Sequence, residues 1–75
     1  MSGILYLRKM IRAAMFHSEQ GRIDKAIELL EEAHGSCPYN QYVINALIDL
    51  YRALGEQDRA DRLIEELTRY ELFMD

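Results

Sequence analysis

The side chains with the most chemistry to offer in this 75-residue chain are His17, His34, Cys37 and two acidic pairs, Glu31–Glu32 and Glu65–Glu66. His17 and His34 fall in different helix-length segments, and Cys37 adjoins Pro38 in a turn. A zinc site would need those elements to converge, so no metal is expected. No Gly-rich phosphate loop, nucleophile motif or acid pair flanking an evident cleft is present, and no cofactor is expected. The chain does not read as an enzyme. The acidic pairs read as a solvated helix face, and His17 as a packed, hydrogen-bonded histidine.

Charge narrows the partners. Nine Lys and Arg stand against thirteen Asp and Glu, for a net charge of −4. Residues 1–37 balance five bases (Arg8, Lys9, Arg12, Arg22, Lys25) with five acids, whereas residues 38–75 hold four Arg and eight acids. Binding to phosphates needs a basic face, so a nucleic-acid-associated helical regulator is a minor alternative and no nucleic-acid partner is expected. A single cysteine permits no internal disulfide and fits a reducing compartment. In MSGILYLRKMIRAAMF, Arg8, Lys9 and Arg12 interrupt the apolar run that a secretory signal or membrane span requires. A cytoplasmic location without membrane contact is the expectation.

The positioning elements emerge from an internal echo. GRIDKAIELLEEA at 21–33 and GEQDRADRLIEEL at 55–67 echo one another at a spacing of 34 residues. Gly21 meets Gly55, Asp24 meets Asp58, Ala26 meets Ala60, and Leu29 meets Leu63. Such a period marks a repeat architecture. Turn signals at Gly21, at Gly35–Pro38 and at Gly55 divide the chain into four helices, about 3–20, 23–35, 39–54 and 57–73. Gly21 and Gly55 suit the left-handed residue just past a helix end. Asp24 and Asp58 suit helix starts, where a carboxylate meets free N–H groups and the dipole. Pro38 suits the mouth of the third helix. Ala26 and Ala60 are small enough for a close helix crossing. Leu29, Leu30, Ala33, Leu63, Ile64 and Leu67 form the apolar stripe at spacings of three and four.

A 34-residue helix–turn–helix with these markers resembles the tetratricopeptide repeat, W-x2-L-G-x2-Y, A-x3-F, P. Leu47 and Tyr51 fall on the L and Y of the second unit, with Ala60 and Ile64 on its A and F. Ala26, Leu30, Ala33 and Pro38 do the same work in the first. Met10 and Ile44 replace the Trp, Ala14 and Ile48 the Gly, and His17 the Tyr. Leu67 stands where a small residue is usual and Leu72 where Pro is usual, which suits an array with no following helix to pack closely.

The resemblance implies an all-α fold: two tandem helix-turn-helix repeats, about 7–40 and 41–74, four antiparallel helices forming a right-handed α-solenoid fragment. It further implies a non-enzymatic module that binds a protein or peptide on a concave face built from the first helix of each unit. That face would carry Arg8, Ile11, Arg12, Met15, Ser18 and Glu19, then Tyr42, Asn45, Ala46, Asp49 and Arg52. One subclass clamps a C-terminal carboxylate with Lys and Asn; here those positions hold Ile11, Met15 and Ala46, so no such clamp is expected.

The first helix is apolar nearly all round. Ile4, Leu7, Ile11 and Ala14 form one stripe; Leu5, Tyr6, Met10, Ala13, Phe16 and His17 form much of another. Two units bury less than a stable array generally does, and the tail adds Leu72, Phe73 and Met74. Leu5, Tyr6, Met10, Leu72, Phe73 and Met74 are therefore expected to meet another chain, most simply in a homodimer. A small chaperone or secretion partner sequestering a protein helix is the alternative.

Overall fold

The computed structural model describes residues 3–74, with the side chains of Ile4, Phe73 and Met74 outside the described set. The side chains of two residues expected on the association surface, Phe73 and Met74, thus lie outside the described set. The chain forms α1 (Gly3–Glu19), α2 (Ile23–Ser36), α3 (Gln41–Ala53) and α4 (Gln57–Met74). Each helix packs on the next: α1 on α2, α2 on α3 and α3 on α4. The result is all-α helical-hairpin repeats in a slab measuring 38 × 36 × 14 Å.

Both hairpin turns use the same device. Gly21 has φ +82° and Gly55 φ +80°. The Gly21 N–H donates to the Ser18 carbonyl at 3.0 Å and the Arg22 N–H to His17 at 2.8 Å. The pattern recurs 34 residues later, with Gly55 donating to Arg52 at 3.0 Å and Glu56 to Tyr51 at 2.8 Å. These paired bonds satisfy carbonyls that the helix end would otherwise orphan. A Cβ built on either glycine meets nothing within 4 Å, so the left-handed backbone alone selects Gly. Gly21→Ala or Gly55→Ala is expected to cost about 1 kcal/mol each, measured by urea unfolding, with the helix content retained.

The start of α3 differs from the expectation. Pro38 lies in the connecting turn, and Asn40 caps the helix by accepting a hydrogen bond from the Val43 N–H at 3.1 Å. Asn is among the best capping residues because its short side chain reaches back to the third N–H. Asp24 lies near the start of α2, as expected, without being its cap residue. The cap position of α2 is Arg22, which makes no side-chain cap bond, and Asp24 sits within the first turn. There it, like Asp58 in α4, acts on the helix dipole.

The core runs across all four helices: Ala14, Ala26, Ile27, Leu30, Ala33, Val43, Ile44, Leu47, Ile48, Tyr51 and Ala60. Ala26, Ala33 and Ala60 have no exposed surface at all. Their small side chains let the helix axes approach, and the larger Leu30, Ile44 and Leu47 interdigitate around them. Leu29, Leu63, Ile64 and Leu67 from the expected stripe pack half-buried against this core.

Candidate protein-binding groove

Helices α1 and α3 lie side by side on one face, and a groove of about 390 Å³ runs between them. Ile11, Met15 and Glu19 enter from α1 at one-turn intervals. Tyr42, Ala46, Asp49 and Leu50 enter from α3, and Leu30 of α2 reaches its lining. Of the residues expected on a concave face, Ile11, Met15, Ser18, Glu19, Tyr42, Ala46 and Asp49 therefore come together. Arg8, Arg12, Asn45 and Arg52 are exposed but do not line it. The groove also includes Leu50, and Ala14 and Leu30, which were expected only in apolar stripes. Leu50 lies one turn beyond Ala46, a spacing that places both on one helix face.

The groove has an apolar floor and an acidic margin. Its charged members are Glu19 and Asp49, and neither forms an ion pair with another described residue. Met15 is 58% exposed and Tyr42 81%, so two large side chains stand open to a ligand. Ile11, Met15 and Ala46, at the clamp positions of the carboxylate-binding subclass, present apolar surface here.

The polar contacts lie elsewhere. His34 Nε2 is 3.0 Å from Glu66 Oε1, joining α2 to α4 across the two hairpins. A carboxylate only accepts, so this nitrogen carries the proton. Glu66, expected on the wet face, is thereby a tie between hairpins. The Nδ1 atoms of His34 and His17 are buried without a hydrogen-bond partner among the described residues. His17 thus packs, with Phe16 edge-on at 5.6 Å, but the hydrogen bond expected for it is not made through Nδ1. Tyr39 and Tyr70 meet edge to face at 4.6 Å. Desolvation, with the Glu66 carboxylate and the Tyr39 hydroxyl adding to it, raises the Tyr70 hydroxyl above its ordinary value. A cleft of about 440 Å³ between α2, α3 and α4 is lined by Glu31, His34, Tyr51, Arg59 and Arg62, among others. There Arg59 lies over the Tyr51 ring at 5.7 Å and pairs with Glu56 at 3.2 Å. Among the described residues no cluster of His, Cys, Asp or Glu is arranged to hold a metal ion. No described helix is long and apolar enough to cross a membrane.

A family profile described as tetratricopeptide repeat matches residues 17–72, three quarters of the chain. The chain belongs to the tetratricopeptide repeat family. Neither the curated proteins nor the solved structures hold a significant match to it. The tetratricopeptide match begins at His17 and so covers α2, α3 and α4, with most of α1 outside it. Tetratricopeptide repeats are in general non-enzymatic modules that engage protein partners. In this tetratricopeptide fold, the first helix of each hairpin supplies the groove walls.

Proposed function

We propose that this protein is a protein-interaction module whose α1–α3 groove receives the apolar face of a partner's amphipathic helix bearing Lys or Arg at its edge. The observation that carries this reading is the lining itself. Apolar Ile11, Met15, Ala46 and Leu50 line it together with Glu19 and Asp49, whose exposed carboxylates pair with no other described residue. Apolar anchors in a groove give affinity, and the two carboxylates choose the partner's charge.

Two designed helical peptides test it, one alternating Leu with Lys on its faces and the other Leu with Glu. Fluorescence anisotropy is expected to show tighter binding of the Lys peptide. Asp49→Lys and Met15→Glu are each expected to weaken that binding by about tenfold or more while leaving helical circular dichroism intact, since both positions are exposed. Equal affinity for the two peptides, untouched by either substitution, rules out the groove. A small chaperone would use the same groove to keep a partner's helix soluble, and its mark is a partner that is insoluble unless co-expressed with this chain.

Self-association is a second reading. Leu5 is 56% exposed, Phe16 55% and Leu72 72%, a large apolar display for so small a domain. Tyr6 and Met10, also expected on the association surface, are half-buried, and Met10 packs against the protein's own core. A dimer of this chain would cover the exposed leucines, and mass measurement over a dilution series distinguishes it from a stable monomer.

A further inference from the structure

The cleft between α2, α3 and α4 shares no lining residue with the α1–α3 groove, and its charge has the opposite sign. Residues 38–75 hold eight acids and four Arg. Two of those Arg, Arg59 and Arg62, line this one cleft, and Glu31 is the only acid among its described lining residues.

The 34-residue period shows what sets these two cations apart. In the first hairpin the equivalent positions are Lys25 and Glu28, which pair with each other at 3.1 Å. In the second hairpin both are Arg, one turn apart on one helix face, where like charges destabilise a helix. Arg59 reaches back to Glu56 at 3.2 Å and lies over the Tyr51 ring. Arg62 has an acid one turn away on each side, Asp58 and Glu66. Glu66 is held instead by His34 of α2 at 3.0 Å, and Arg62 forms no ion pair among the described residues. The tie between hairpins thus leaves Arg62 without a counter-charge at the cleft.

The rest of the lining suits a short apolar stem behind an anionic head. Leu47, Leu63 and Tyr51 contribute to it. Gly35 is an exposed lining residue, and a Cβ built on it meets nothing within 4 Å, so open space adjoins the cleft there. Two guanidiniums against the Glu31 carboxylate leave a single excess positive charge in the lining. A monoanion matches that excess. A phosphate monoester, at about −1.5 to −2 charge, exceeds it and is repelled by Glu31.

We propose that this cleft binds a carboxylate of a partner protein, on an Asp or Glu side chain or at a chain end, with Arg62 as its anchor and Arg59 as a second donor. A guanidinium presents a planar fork of N–H groups that a carboxylate accepts in pairs. The site is separate from the groove and opposite in preference. Glu19 and Asp49 favour a basic ligand there, whereas this cleft takes an acidic one.

Titration followed through the Arg side-chain Nε–H resonances by NMR tests the inference. Acetyl-Leu-Glu-Leu-amide carries a side-chain carboxylate, acetyl-Leu-Gln-Leu with a free C-terminus carries a chain-end carboxylate, and acetyl-Leu-Gln-Leu-amide carries neither. Inorganic phosphate is the remaining titrant. A carboxylate peptide is expected to shift the Arg62 and Arg59 resonances saturably, and the uncharged peptide is not. Whichever carboxylate binds more tightly names the source. Arg62→Gln is expected to weaken binding about tenfold with helical circular dichroism retained, since the position is exposed. Met15→Glu, in the groove, is expected to leave the titration unchanged, so cleft and groove stand or fall separately. Phosphate binding more tightly than both carboxylate peptides overturns the assignment of the ligand. No saturable shift with either carboxylate, or equal affinity in Arg62→Gln, overturns the site.

Discussion

Leu30→Ala is expected to lower the free energy of unfolding by about 2–5 kcal/mol, read from the urea midpoint at unchanged slope. Leu30 is 2% exposed and is among the largest fully buried side chains. Its helix, α2, is packed by α1 on one side and α3 on the other, so the void left by truncation is hemmed in by two neighbours and collapses poorly. The size of the loss matters because the whole is small. A domain of this length has roughly 4–11 kcal/mol of stability at about 0.05–0.15 kcal/mol per residue. One truncation therefore removes a large share, and the variant is expected to be partly unfolded at body temperature. Leu30 also reaches the groove lining, so peptide binding weakens with it. Leu5→Ala, on an exposed side chain, is the control and is expected to leave monomer stability within about 0.5 kcal/mol.

Ala26→Leu is expected to destabilise by about 1–3 kcal/mol through overpacking, and Ala60→Leu by a similar amount. Both residues have no exposed surface and occupy equivalent places near the start of the second helix of each hairpin. Three added heavy atoms cannot be housed without moving the helix axes apart, which opens contacts along the length of both helices. Thermal unfolding followed by circular dichroism measures the loss. Unchanged stability in both variants would mean that the crossing does not depend on a small residue. Ala26→Gly separates the two effects of alanine: it keeps the space but costs about 1 kcal/mol in helix propensity.

How much of this was legible in the chain follows from the range of the forces involved. The four helices, the two glycine turns and the alanines at the crossings are local features repeated at one period. Helical spacing of apolar residues specifies which face is buried, and a left-handed turn selects Gly whatever surrounds it. Gly21 and Gly55 were readable for that reason, and so were Ala26, Ala33 and Ala60. The tetratricopeptide resemblance drew the concave face, but only as a set of two helices' worth of residues.

Tertiary structure decided the remainder, because it depends on how far and at what angle helices cross. Pro38 and Asn40 both suit a helix entry by residue type, and the path of the chain between α2 and α3 gave the cap to Asn40. Glu66 has the composition of a wet-face residue, and only the approach of α4 to α2 brings it to His34. The tetratricopeptide resemblance put Arg8 and Arg12 on the same footing as Ile11 and Met15; only the latter pair line the groove between α1 and α3. The burial of Val43 and Ile27 is announced by no single position: a side chain is buried by its neighbours across the fold, not by those along the chain.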